Sequence, residues 1–119
     1  MSRVKFIIHK GKEILFIDFS NCKVEEIKPI TEEAKAIIAV QPPNSLLTLT
    51  DVTETRYNHE ATKTLKEYVA HNRPYVKFAA VIGVTGLKKV VYDGISMFAK
   101  RKLALFNSIE IAKDWLVEQ

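Results

Sequence analysis

One cysteine, Cys22, leaves no partner for an internal disulfide, which fits a reducing compartment. No apolar run approaches the ~18 residues expected of a membrane-spanning helix. The opening MSRVKFIIHK has only Phe6–Ile8 before charge resumes, too short for a secretion signal. A cytoplasmic protein that does not span a membrane is therefore expected. His9, His59 and His71 are widely spread, and no pair has metal-ligand spacing with cysteine or carboxylate. Cys22 has no histidine near it in sequence to act as a base. No linker, repeat or low-complexity segment divides the 119 residues. These absences argue against a metal centre, a cofactor site or a nucleophile–base enzyme, and they predict a single domain over residues 1–119.

What is present is an ordinary globular composition, 47% apolar and 27% charged, with a net charge of +4. Residues 1–59 carry eight basic and eight acidic groups, whereas residues 60–119 carry ten and six, so the second half holds the whole excess. The basic residues are dispersed except at Lys88-Lys89 and Lys100-Arg101-Lys102, and aromatics do not alternate with them as in a stacking platform. A solvated surface is expected, and no nucleic-acid partner.

The central stretch is VKFAAVIGVTGLKK, residues 76–89. Phe78, Ala80, Ile82 and Val84 fall on one alternating face, and Ala79, Val81 and Gly83 on the other. A strand with no polar face belongs inside a sheet covered on both sides. It runs into Gly83-Val84-Thr85-Gly86 and then a helical pattern. Before it, Val4–His9 and Glu13–Phe19 around Lys10-Gly11-Lys12 read as a hairpin, with Gly11 supplying positive φ. Asp18, near the end of the second strand, reads as a carboxylate bonded to a nearby loop.

Residues 23–40 carry a helical stripe interrupted by Pro29. The expectation is a kink or short first turn, with a helix restarting near Thr31 as its cap. Ser45–Thr50 is another strand, and Asn58 caps a helix to His71 that buries Ala61, Leu65, Tyr68 and Val69. In residues 87–100 the stripe Leu87, Val90, Val91, Gly94, Ile95 and Phe98 predicts a helix, with Gly94 allowing close approach to the sheet. Lys100-Arg101-Lys102 then suits its C-terminal dipole. Leu103–Phe106 is a short strand. Asn107 and Glu110 form a capping box, with Phe106 and Ile111 as a staple, before a helix burying Ile111, Ala112, Trp115 and Leu116. The order ββαβαβαβα predicts an α/β domain whose mixed, mostly parallel sheet follows an N-terminal hairpin.

Open parallel sheets bind ligands at the carboxyl ends of their strands. Two loops qualify there. Asp51–Asn58 supplies Asp51, Thr53, Thr55, Arg56 and Asn58. Gly83–Lys89 supplies Gly83, Thr85, Gly86, Lys88 and Lys89. Backbone NH groups at a helix start, the Thr85 hydroxyl and two lysines suit a phosphate or carboxylate, although the full phosphate-loop pattern is missing. The structural alternative has Thr85 capping the helix, the glycines allowing a sharp turn and both lysines solvated.

Four segments, HKGKEILFIDFS, LLTLTDVTETRYN, HNRPYVKFAAVIGVTGLKKVVYDGI and LALFNSIEIAKDWL, together resemble the bacterial SpoIIAA-like, or STAS/SEC14-type, domains over nearly the whole chain. The resemblance implies successive β-α units in one sheet. It also implies one of two uses: protein–protein switching, as in anti-sigma-factor antagonists, or carriage of lipids or small ligands, as in SEC14 proteins. Antagonists carry an Asp-Ser-Ser-Gly-type phosphorylation motif after the third strand. Here that region reads Asp51-Val52-Thr53-Glu54-Thr55-Arg56-Tyr57-Asn58, without serine, so Thr53 and Thr55 are the candidate acceptors, with Asp51 and Glu54 repelling phosphate and Arg56 attracting it.

The resulting expectation is a non-enzymatic STAS-like domain acting through protein contacts. A binder of a small anionic ligand (phosphate, nucleotide or lipid headgroup) at Gly83–Lys89 is the alternative. The second apolar face of the central strand needs a cover, which helices, the hairpin or a partner subunit would supply. Tyr92 and Met97 are placed on the outer flank of their helix as contact residues, and a homodimer is expected ahead of a monomer.

Overall fold

The two glycine-bearing turns and the alternating apolar strands assemble as their patterns require. The computed structural model describes residues 3–86, 88–100 and 103–119. Its elements are β1 (Val4–His9), β2 (Lys12–Asp18), α1 (Val24–Ile38), β3 (Leu46–Asp51), α2 (His59–Asn72), β4 (Val76–Ile82), α3 (Lys88–Ala99), β5 (Ala104–Phe106) and α4 (Ile109–Val117). β1 and β2 pair antiparallel through a two-residue loop, Lys10 at φ 51° and Gly11 at φ 81°. Positive φ at both positions is the turn whose twist matches that of a hairpin. β2, β3, β4 and β5 then pair parallel, in the order β1-β2-β3-β4-β5. The α/β, mostly parallel architecture behind a hairpin is as the sequence pattern predicts.

Each crossover steps one strand in the same direction, so the right-handed rule puts α1, α2 and α3 on one face. There Ile27 and Ala34 of α1, Leu65 of α2 and Ile95 of α3 pack on Leu15, Ile17, Ala79 and Val81. The opposite face, Ile14, Leu49, Ala80 and Ile82, is covered by Ala112 and Leu116 of α4. Helices therefore lie on both sides of the sheet, which removes the argument for a partner subunit as cover. Among the described residues no helix is long and apolar enough to cross a membrane.

Three helices differ from their sequence expectations. α1 runs unbroken through Pro29. Thr31 is not its cap: the residue is buried, with Oγ1 donating to the Lys28 carbonyl at 2.8 Å. The start is at Lys23, whose backbone NH donates to Glu26 Oε1 at 2.9 Å. Burial of Ile27, Ile30, Ala34 and Ile38, at roughly 1.5–3 kcal/mol per large apolar side chain, outweighs the ~3 kcal/mol that an interior proline costs.

α3 is rotated from the expected stripe. Its buried line is Tyr92, Ile95 and Ala99, while Val90 and Phe98 are 69% and 56% exposed. Tyr92 is thus not a contact residue on the surface; Met97, 80% exposed, is where expected. The rotation buries the large Tyr92 ring edge-on against Tyr57, at 6.0 Å between centroids, and satisfies its hydroxyl. Gly94 does not serve close packing on the sheet, since a Cβ there would meet nothing within 4 Å. Leu87 and the Arg101-Lys102 part of the basic cluster lie outside the described residues. In α4 the cap is Ser108 rather than Asn107, accepting from the Ile111 NH at 3.4 Å. Ile111 is 59% exposed instead of buried.

Candidate functional site

The parallel strands deliver their carboxyl ends to one rim of the sheet. Asp18 of β2 and Asp51 of β3 stand there as register partners. Each carboxylate closes a small turn on the residue two positions ahead. Asp18 Oδ1 accepts from the Ser20 NH at 2.8 Å and its hydroxyl at 2.5 Å. Asp51 Oδ1 accepts from the Thr53 NH at 2.9 Å and its hydroxyl at 2.6 Å. This is the local turn chemistry of aspartate before serine or threonine. Between them Phe19 and Val52 turn into the core, and Arg3 donates from Nη1 to the Asp18 and Ser20 carbonyls at 3.2 and 3.0 Å. Asp18 is the loop-bonded carboxylate that the sequence suggests.

The two predicted loops do come together. Gly83, at φ 89°, lies so close to Thr53 that an added Cβ would stand 2.5 Å from the Thr53 NH nitrogen and hydroxyl oxygen. Only glycine fits that approach and that backbone conformation. The Val52 NH also donates to the Ile82 carbonyl at 2.9 Å. The individual side chains, however, divide by role. Thr55 is buried, and its hydroxyl donates to the Phe19 carbonyl at 2.7 Å, so it is withdrawn from solvent. Asn58 caps α2, accepting from the Ala61 NH at 2.7 Å. Thr53 is exposed but committed to Asp51.

Arg56 and Lys88 remain as cations at the rim. With Asn21, Glu54 and Thr55 they surround an open polar hollow of about 390 Å3. Lys88 reaches back over the Tyr57 ring, 5.7 Å from its centroid, a cation–π position. Thr85 and Gly86 are exposed, and their carbonyls accept from the Lys88 and Lys89 NH groups at 3.2 Å each. Lys89 is exposed on the first turn of α3. The rim thus offers positive charge, offset in part by Glu54.

A second concavity lies between the sheet and the α2–α3 pair. It is apolar, lined by Phe19, Tyr68, Val76, Val81, Tyr92 and Ile95, and holds about 50 Å3. That exceeds the space of one water but falls well below the roughly 150 Å3 that admits a benzene ring, so a lipid chain does not fit without helix movement. Its hydroxyls are held neutral. Burial pushes the Tyr68 hydroxyl up, with a bond from Asn72 acting against it. Burial also raises Tyr92 well above its ordinary value, helped by the nearby Tyr57. The two tyrosine oxygens are 2.7 Å apart, and Tyr57 is likewise raised, mainly by burial.

The tyrosine pair and the apolar hollow were not legible in the sequence. Their only trace was a tyrosine three residues before Ile95 and seven before Ala99, the spacing of the true buried line.

No family model and no curated protein matches the chain. A solved structure does: an uncharacterised protein of the DUF3478 family with a SpoIIAA-like fold, from Shewanella loihica PV-4, at 20% identity. The match covers 95% of this chain and 91% of that one, with a TM-score of 0.65. This chain accordingly has a SpoIIAA-like fold, as its sequence resemblance implies.

Proposed function

We propose that the chain is a non-enzymatic, cytoplasmic, single STAS-like domain that acts by binding another protein, and that α3 presents the binding face. The observation that carries this reading is the outer surface of α3. Val90, Met97 and Phe98 are 69%, 80% and 56% exposed on one helix, whose opposite line, Tyr92, Ile95 and Ala99, is already buried. Single exposed apolar side chains are normal, but Val90 and, two turns on, the adjacent Met97 and Phe98 share one helix face, a patch of the kind that marks contact sites. Catalysis gains little support from the rim of the sheet. Asp51, Thr55 and Asn58 are each spent on the fold. Among the described residues no group of histidine, cysteine and carboxylate side chains is arranged to hold a metal.

The test is a crosslinking experiment with a photoreactive residue placed at Met97, exposed and free of the core. Crosslinks to one polypeptide, lost when Phe98 is replaced by Glu, are expected. Identical yields from a probe at Glu33 or Lys77 would sink the reading. A second reading, an anion at Gly83–Lys89, is favoured by Arg56 and Lys88 facing the same hollow. Titration with inorganic phosphate would then shift the Val84, Thr85 and Gly86 amides selectively, and Lys88→Glu with Lys89→Glu would abolish the shifts.

A further inference from the structure

α3 carries a glycine in its interior, at a cost in helix propensity relative to alanine. Gly94 is not needed for its φ, because glycines with positive φ occur only at Gly11, Gly83 and Gly86. Nor is it needed for packing, since a Cβ there points into open space. Yet it sits in the middle of the outward apolar stripe, four residues after Val90 and three and four before Met97 and Phe98. A missing side chain in the centre of an apolar helix face admits a close approach by another backbone. A bilayer surface has no use for such a notch.

The charges around the stripe describe the visitor. Lys89 and Lys100 are exposed near its two ends. Lys66 of α2 stands with Nζ 5.8 Å from the centroid of the Phe98 ring. Asp93 is the only acid within α3. A second copy of α3 is disfavoured, because both of its ends are basic and either orientation sets cation against cation. From these observations the geometry points to an amphipathic helix of another protein, with acidic residues bracketing an apolar stripe, crossing α3 at Gly94. This rests on the protein-binding reading above and names the chemistry of the partner. Lys89 lies in the first turn of α3 and Lys100 one residue past its last, so the acids of the partner stand toward the two ends of its apolar stripe.

The probe is a display library of 18-residue helix-forming peptides, selected on the whole protein. The expected winners carry acids at both ends of an apolar i, i+3/i+4, i+7 stripe. Their affinity should fall at least tenfold with Phe98→Glu and with Gly94→Leu. Gly94→Leu fills open space, so an unchanged or raised Tm separates a blocked notch from a damaged fold; Gly94→Ala should raise the Tm. Winners that are neutral or basic, or that are insensitive to both substitutions, overturn the inference while leaving protein binding intact. Absence of any winner overturns it as well. Retention of the wild type on phosphatidylglycerol vesicles, lost with Phe98→Glu, would replace the partner by a membrane and overturn both readings. A dimer in sedimentation that Phe98→Glu dissociates would assign the face to a second copy, and that too overturns the inference.

Discussion

Three helices of 15, 14 and 12 residues cover one face of the sheet, and a single nine-residue helix covers the other. α1, α2 and α3 each lie between two paired strands, so none can leave without breaking a crossover. α4 follows β5 and does not lie between two of the described strands. Its apolar anchors are Ala112 and Leu116, both fully buried, with Trp115 set between the Phe78 and Phe106 rings at 5.7 and 5.3 Å. Ile7, Phe16, Leu47 and Val117 pack around the same cluster, and the hairpin tip adds polar contacts. His9 Nε2 meets Asp114 Oδ1 at 2.7 Å, Lys10 Nζ meets the same oxygen at 3.0 Å, and Lys12 Nζ donates to the Val117 carbonyl at 2.9 Å. The hairpin therefore clasps the helix that protects the second face. One face is closed by topology, the other by a latch.

The sharpest test of the difference starts on the three-helix side. Val81 lies in β4, 3% exposed, against α1–α3. Val81→Asp buries an unpaired charge, a cost of several kcal/mol set against a total margin of about 5–15 kcal/mol. Loss of the far-UV circular dichroism signal at room temperature is expected. A nearly unchanged melting curve would mean that this face is not the structural centre.

Leu116→Ala probes the latched side. A fully buried leucine truncated to alanine costs about 2–5 kcal/mol. Here the cost should fall chiefly on α4. Trp115 is the sole tryptophan, and it packs on Phe78 and Phe106, so its fluorescence reports the seating of α4 on the sheet. The variant should show a fluorescence transition at lower temperature than the loss of circular dichroism. If both signals moved together, the two faces would be one cooperative unit and the contrast between them would be wrong.

Much of this architecture could be read from the chain, and the failures have physical causes. The central strand announced itself because β4 from Phe78 to Ile82 is apolar or small on both faces, whereas β3 shows Leu46, Thr48 and Thr50 on one face and Leu47 and Leu49 on the other. Successive β-α units then favour one side for α1–α3. Nothing local fixes the side of α4, which does not connect two of the described strands, and so the cover of the second face stayed open. α3 misled because it is apolar on two sides. Val91 and Ile95 fit either line, and only the pairing of Tyr92 with Tyr57, 35 residues away, decides the rotation. At the rim the sequence places both loops at strand ends, but that they touch, and what their side chains do, depends on distant backbone groups. Thr55 looks like a phosphate acceptor until Phe19, 36 residues earlier, takes its hydroxyl.

The smallest expected effect concerns the latch itself. Asp114 has its carboxyl held below the usual range, first by the hydrogen bond from His9 and then by that from Lys10. A depressed carboxyl stabilises the folded state above its unfolded pKa, about 3.9, and that contribution is lost as pH falls through the lower folded value. The group is exposed, so salt screens it and the effect is modest. Asp114→Asn should therefore lower the Trp115 fluorescence midpoint slightly at pH 7 and leave the circular dichroism midpoint closer to that of the wild type. The gap between variant and wild type should narrow below about pH 4 and shrink in high salt. Lys12 acts differently, because its bond to the Val117 carbonyl involves no carboxyl and sits where the C-terminal end of a helix favours a cation. Lys12→Met should consequently give a gap that persists at acid pH. A gap for Asp114→Asn that stayed constant from pH 7 to pH 3 would show that the clasp acts through shape and not through charge.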